Sequence, residues 1–353
     1  MMPDSRVAAT ADASTLAAAA SIAPKVHAIR HMAPRCSAIA GWMRARRDLA
    51  WTRRELVHVV ELVKLSGGMV PRTEKDHHPD AFASLWFVRA AHDFAAIAMT
   101  SAQREKHPAH VGFFEETLLP LCTNIVQQFI SDAGIDGIRM DDSAILIPSA
   151  NGGTADHDPA LRINTLWYNG LESTAGALMN IAPRDPAGAH FERLAGRFRR
   201  SFPKIYWCPT HKRICTPGRR EAAEHGAFSD PDQLLLTTLA CSPLPRTKQR
   251  LILAHFKTHA LGRQGVLMSH PVHGVVESPL HLAWLAMGTA VDGEAEEVQP
   301  FINPLAQFRE DAQRRGVYAY YQNERPVPGL TRPDPLATAE VSGALQQLLH
   351  RHG

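Results

Sequence analysis

No run of apolar residues in this chain approaches the roughly 20 needed to cross a bilayer as a helix, so membrane spanning is not expected. Cysteine is scarce. The five, Cys36, Cys122, Cys208, Cys215 and Cys241, are an odd and scattered set, which excludes a disulfide framework and fits a reducing compartment. Charge of one sign is missing as well. With 38 basic and 35 acidic residues the formal net charge is +3, so neither nucleic acid nor an anionic membrane is an electrostatically favoured partner. The glycine-rich phosphate loop, the strained serine turn of the hydrolases and the CxxC redox pair are all absent, and no cofactor is implied. Cys208, His211 and Cys215 offer three zinc-type ligands, but a structural site wants four, so no metal is expected; His77-His78 reads as an exposed polar loop.

What is present is helix. Residues 1–38 are rich in alanine and read as a flexible leader, with the N-terminal apolar stretch too short and too acidic at its start for a signal peptide; the expected location is cytoplasmic. A single domain is expected over 39–353. Leu56, Val59, Val60 and Val63 form one helical stripe, Phe87, Ala90, Ala91, Phe94 and Ala95 another, and Leu118, Leu121, Cys122, Ile125, Val126 and Phe129 the cleanest. Alternation over 138–147 predicts a short β-hairpin. Further helices are expected at 232–239, 248–260, 280–290, 301–314 and 337–349. About ten helices with little strand and no internal repeat predict an all-α toroid or bundle.

The stretch 161–179 combines a helical apolar face with a block of side chains suited to sugars. Asn164, Trp167, Tyr168 and Asn169 set two flat aromatics among amides, which can stack on a sugar ring and hydrogen-bond its hydroxyls; the same residues also make an ordinary buried helix. The block Asn164-Thr165-Leu166-Trp167-Tyr168-Asn169-Gly170-Leu171 resembles the NALWYNAL signature of the glucosidase domain of glycogen debranching enzymes. Gly68-Met69-Val70-Pro71 with Ala81 to Phe87, the hairpin Ile138 to Leu146, Phe228 to Leu234, and Arg325 to Gly329 with Ala337 to Val341 are similar to further motifs of that family, in the same order.

The resemblance implies an (α/α)6 toroid with a pocket at one end, lined by Trp86, Asn164, Trp167, Tyr168 and Asn169. It implies inverting hydrolysis of α-1,6-linked glucosyl stubs on an α-glucan or oligosaccharide, a reaction needing two carboxyl groups about 6.5–9.5 Å apart. The family's acid falls on Asp156, within a shortened loop that also carries Asp158; a solvated or helix-capping cluster is the alternative there. The family's base falls on Tyr318 to Tyr321, where no carboxylate stands, and a tyrosine with an ordinary pKa near 10 cannot activate water at neutral pH. Glu277 and Glu324 are the candidate replacements. A relative that kept its sugar pocket and lost its base, binding carbohydrate without turning it over, is the competing expectation.

Overall fold

Aspartates punctuate the chain in front of its helices. Asp48, Asp80 and Asp185 each accept a backbone N–H from the first turn of the helix that follows, the local chemistry that starts a helix at a defined residue. A computed structural model describes residues 29–76, 78–131, 135, 137–148, 160–215, 230–262, 265–270, 274–293, 295–314, 317, 320–322, 325–326 and 334–352.

In order, α1 is Met32–Arg46, α2 Leu49–Leu65, α3 Ala81–Ala98, α4 Ser101–Lys106 and α5 Pro108–Phe113. A π-turn at Phe114–Leu118 leads into α6, Leu119–Ile130. Strands β1 (Ile138–Met140) and β2 (Leu146–Pro148) precede α7 (Ala160–Ile181) and α8 (Pro186–Tyr206). Strands β3 (Trp207–Cys208) and β4 (Arg213–Ile214) form a second hairpin. A 3-10 turn, Pro231–Leu234, runs straight into α9 (Leu235–Thr238), followed by α10 (Arg246–His259). The rest is β5 (Val266–His270), β6 (Gly274–Ser278), α11 (Pro279–Asp292), α12 (Ala295–Arg314), β7 (Tyr321–Gln322), β8 (Arg325–Pro326) and α13 (Pro335–His352). Strands β5 to β8 make one antiparallel sheet in sequence order.

Six of these helices close a ring: α1 packs on α3, α3 on α7, α7 on α9, α9 on α11, α11 on α13, and α13 back on α1. Helices α2, α6, α8, α10 and α12 lie outside it, most of them bridging two successive inner helices. This is the expected α/α toroid with its short hairpin at 138–148. The inner helices are buried nearly all round, as in α3, where Leu85, Trp86, Phe87, Ala90, Ala91 and Phe94 are all inaccessible. Close approach within the ring uses glycine: a Cβ at Gly288 of α11 would lie 2.1 Å from Thr237 Oγ1 of α9.

Three features depart from the sequence reading. The first helix starts at Met32, not near Ile39, and Met32, Cys36 and Ala38 are core residues; their small neighbours allow α1 to pack tightly, and Gly343 of α13 sits against the Gly41 backbone. The helix 186–206 was not anticipated, although Phe191, Leu194, Phe198 and Phe202 form its buried face. The four-stranded sheet was not anticipated either, because two of its strands are two residues long and β6 meets β7 across more than 40 residues of chain.

The connections are strongly asymmetric. Those leaving inner helices are short, at 47–48, 99–100, 182–185, 239–245 and 293–294; those entering them are long, at 66–80, 131–159, 207–230, 260–278 and 315–334. In a ring of parallel inner helices this gathers the described ends of the long connections, and all the described strands, at the N-terminal end of the ring. That end is here called the mouth.

Candidate functional site

Three segments far apart in sequence meet at the mouth. Arg162 comes from the first turn of α7, Asp232 from the 3-10 turn before α9, and His281 from the first turn of α11. Arg162 Nη2 donates to Asp232 Oδ1, and His281 Nε2 lies 2.9 Å from the same oxygen. His281 Nδ1 is 2.8 Å from Ser278 Oγ at the end of β6, so the ring is held from both sides. The guanidinium of Arg162 lies over the rings of Phe82 (5.8 Å) and Trp284 (5.4 Å). Tyr320, in the segment where the family motif would place its base, is close enough that its hydroxyl responds to the charges of Arg162 and Asp232.

Burial acts on this cluster in opposing ways. It pushes the Asp232 carboxyl up, but Arg162 and His281 outweigh it and hold the group far below the usual carboxylate range. Burial lowers His281 and the partner carboxylate only partly offsets this, so the imidazole is neutral at pH 7. Burial raises the Tyr320 phenol. The cluster is therefore an ionised carboxylate between a guanidinium and a neutral histidine. Of the mouth's other described aspartates, Asp80, Asp230 and Asp334 serve the backbone, capping the helices or turn that follow them.

Beneath this layer lies a second. Glu340 of α13 is wholly buried and accepts from Trp284 Nε1 (3.0 Å), Ser37 Oγ (2.8 Å) and Arg44 Nη2 (3.3 Å), tying α11, α1 and α13 together. It fixes the indole on which Arg162 rests. Arg44 continues to Asp93 of α3 (3.8 Å), which also faces Arg89 (3.7 Å), and Arg89 lies over Trp86 at 4.9 Å.

The residues singled out in sequence are distributed unevenly around this arrangement. Asn164 and Trp167 are wholly buried and committed to the hairpin. The Leu146 N–H donates to Asn164 Oδ1 and Asn164 Nδ2 donates to the Leu146 carbonyl, both at 2.8 Å, while Trp167 Nε1 donates to the Ala144 carbonyl at 2.9 Å. Tyr168 is buried, packs its ring against Phe198 and receives Arg199 Nε on its hydroxyl at 2.7 Å. Asn169 is also buried and lies toward Cys241. Trp86 is inaccessible, and its Nε1 has no partner among the described residues. In this structure none of the five presents an open face to a sugar.

Glu277 pairs across β6 with Leu267 and Tyr321. Its carboxylate packs against Gly262, where a Cβ would lie 2.5 Å from Oε1. Strand alternation puts Glu277 and Ser278 on opposite faces, and it is Ser278 that meets His281. Asp156 and Glu324 lie outside the described residues. No group of three or more His, Cys, Asp or Glu suited to a metal occurs among the described residues, and no described helix is long and apolar enough to cross a membrane.

Arg162, Asp232 and His281 were not identified from sequence. Asp232 stood inside one family-like motif, Phe228 to Leu234, and Glu340 inside another, so motif membership was the available signal.

Family models and curated proteins give no match to the chain. Solved structures do match in fold. A rhamnosidase from Klebsiella oxytoca with rhamnose bound superposes with a TM-score of 0.59 at 14% identity, over 92% of this chain and 57% of that one. A variant of a protein described as a glycosidase gives 0.57 at 14% identity, over 94% and 90%. A GH78 family rhamnosidase of Bacillus sp. GL1 gives 0.52 at 14% identity, over 84% and 29%. This chain thus spans a little over half the length of the first and under a third of the last. At such identity these likenesses establish the fold: a glycosidase-type α/α toroid. None of the three is described as a debranching enzyme, so the glycogen-specific part of the motif resemblance finds no support in them.

Proposed function

We propose that the protein is a glycoside hydrolase of the toroid type that takes the terminal sugar of an oligosaccharide into the mouth. The observation that carries this reading is the Arg162–Asp232–His281 chain, set against Trp284 and Phe82 at the end of the ring where the described strands gather. An ionised carboxylate locked between two partners offers remaining lone pairs to sugar hydroxyls without reorganising. Asp232 is the anchor in this reading. Its low pKa makes it a poor acceptor of a proton from water, so it is not the base. Asp156 delivers the proton to the leaving oxygen. Glu324 activates water; Glu277 is second in rank because its carboxylate packs on Gly262. The substrate favoured by the motif resemblance is an α-glucan carrying α-1,6-linked glucosyl stubs.

A second reading, sugar binding without turnover, is favoured by one observation: Asp80, Asp230 and Asp334 cap the elements that follow them, and Asp232 is already paired.

Incubation with a limit dextrin bearing single glucosyl stubs, beside aryl α-glucoside and aryl α-rhamnoside, separates the two. Glucose release that is lost in Asp156→Asn and in Glu324→Gln supports the hydrolase and its assignment. Rhamnose release alone moves the substrate and keeps the reaction class. Binding of dextrin with no release from any glycoside, weakened in Asp232→Asn, supports the second reading.

A further inference from the structure

The near-neutral total charge hides an uneven distribution. Residues 193–213 carry seven basic residues and no acidic one, and α10 carries four and none, so the rest of the chain is net acidic. Strand β3 follows directly from α8 and β4 packs on α10, which brings the two basic segments to one side of the ring. Helix α8 runs antiparallel to α7 after the short connection at 182–185, so its C-terminal end lies at the mouth.

The sharper feature is on α8 itself. Arg193, Arg197, Arg200 and Lys204 recur at intervals of four, three and four residues, so they fall within an arc of about 60° and follow the helix for about 16 Å, with about 5–6 Å between neighbours. All four are exposed, as is Lys212 at the turn of the β3–β4 hairpin beyond them. None of the five has a carboxylate partner among the described residues. Arg197 donates to the Asp142 carbonyl at 3.1 Å, and it is Arg199, on the flank, that pairs with Glu172. The one acid of α8, Glu192, lies about 100° round the helix from Arg193. Like charges three and four residues apart destabilise a helix, a cost that an anionic partner along the row removes.

We infer that this row is the binding surface for an acidic oligosaccharide, a chain bearing carboxylates on successive sugars, with one end directed to the mouth. Its direction rests on the reading of the mouth as a sugar site; its charge does not. A straight row of cations matches a linear polymer with one anion per residue, and each guanidinium can take a carboxylate by two parallel hydrogen bonds. The row selects for an acidic chain over the neutral α-glucan suggested by the motif resemblance. Single-stranded nucleic acid fits less well, because Phe198, Phe202, Tyr206 and Trp207 beneath the row are buried and no exposed Phe, Tyr or Trp stands beside it to stack on bases. An anionic membrane fits less well too, since none of the exposed large apolar side chains among the described residues belongs to α8 or the hairpin.

The test uses the full chain and titration calorimetry at about 50 mM salt with hexagalacturonate, maltohexaose and hexathymidylate, the last close to the first in charge. Hexagalacturonate is expected to bind about tenfold or more tightly than either of the others, and to weaken about tenfold at about 300 mM salt. The triple variant Arg193→Gln/Arg200→Gln/Lys204→Gln should weaken it about tenfold or more. Arg54→Gln/Arg104→Gln/Lys106→Gln makes the same change of charge at exposed positions on α2 and α4 and should leave it within about twofold. Equal affinity for hexagalacturonate and maltohexaose overturns the inference, as does an equal loss in the two triple variants. Hexathymidylate binding at least as tightly, and lost in the α8 variant, gives the surface to nucleic acid and overturns it equally. Hexagalacturonate binding through α8 without hydrolysis of any glycoside supports this inference and overturns only the hydrolase reading; glucose release without hexagalacturonate binding does the reverse.

Discussion

The two ends of the helix ring treat buried charge in opposite ways. At the mouth Asp232 is satisfied twice over, by Arg162 and His281, and is held ionised. At the other end burial drives Asp93 up to about 6, with Arg44 opposing and Glu340 adding to the rise, and drives His92 down to about 4. The same solvent exclusion therefore fixes one end in a single protonation state and leaves the other poised to titrate. The difference is the number of hydrogen bonds that reach each carboxylate, because a desolvated charge without them relaxes by taking up a proton.

Glu340 separates the two ends, and removing it should have the largest effect on both. Glu340→Leu leaves Arg44, Ser37 and the Trp284 indole N–H buried without their shared acceptor. A loss of about 3–5 kcal/mol is expected, read by urea denaturation. A loss below about 1 kcal/mol would show that the ends do not depend on a common partition. Next in size is the tether behind the mouth. Asn164→Leu orphans the N–H and carbonyl of Leu146 and should cost about 2–4 kcal/mol. Hydrogen exchange should show β1–β2 opening while the ring stays protected; uniform loss of protection across the chain would contradict a local tether.

That tether also shows what was legible in sequence. The helical stripes of α2, α3 and α6 were readable because their apolar spacing coincides with their buried faces. The block from Asn164 to Asn169 was readable as special, but its chemistry suits both stacking on a sugar and gripping a hairpin backbone. Only the fold distinguishes them, through the 2.8 Å bonds of Asn164 to Leu146. Arg162, Asp232 and His281 were not readable as a set. Each has an ordinary local setting at the start of a helix or turn, and their convergence follows from ring closure over more than 100 residues of chain. The helix 186–206 was obscured by its arginines, which crowd the face opposite Phe191, Phe198 and Phe202.

The titrating end gives a prediction of sign. His92, lowered to about 4 by burial, contributes stability above its ordinary pKa near 6.5 that is lost as the pH falls toward 4. Asp93, raised to about 6, contributes stability below the ordinary carboxylate value that is lost as the pH rises to 6. The two slopes oppose each other. In His92→Gln, stability should therefore rise as the pH falls from 6.5 to 4, by up to about 3 kcal/mol relative to the parent. Asp93→Asn should show the reverse trend. Thermal unfolding across that range checks both, and parallel curves for parent and variants would refute the assignment.

The smallest change in stability belongs to the mouth. Asp232→Asn keeps an acceptor for His281 and removes only the charge that Arg162 answers, and both members of that ion pair are partly solvated, so about 1–2 kcal/mol is expected. Because the carboxyl is depressed, its contribution is complete above the ordinary carboxylate pKa and is lost only as the pH falls through its lowered value. The gap between parent and variant should thus stay constant from about pH 7 to 8, where His281 is neutral in both, while the curves from the other end of the ring change slope at lower pH. Sugar binding should respond differently from stability: if the mouth is the sugar site, dextrin affinity should fall about tenfold or more in this variant, as for a lost charge-assisted hydrogen bond. A stability gap that varies with pH between about 7 and 8, or dextrin affinity within about twofold of the parent, would place the ionised anchor and the sugar elsewhere than Asp232.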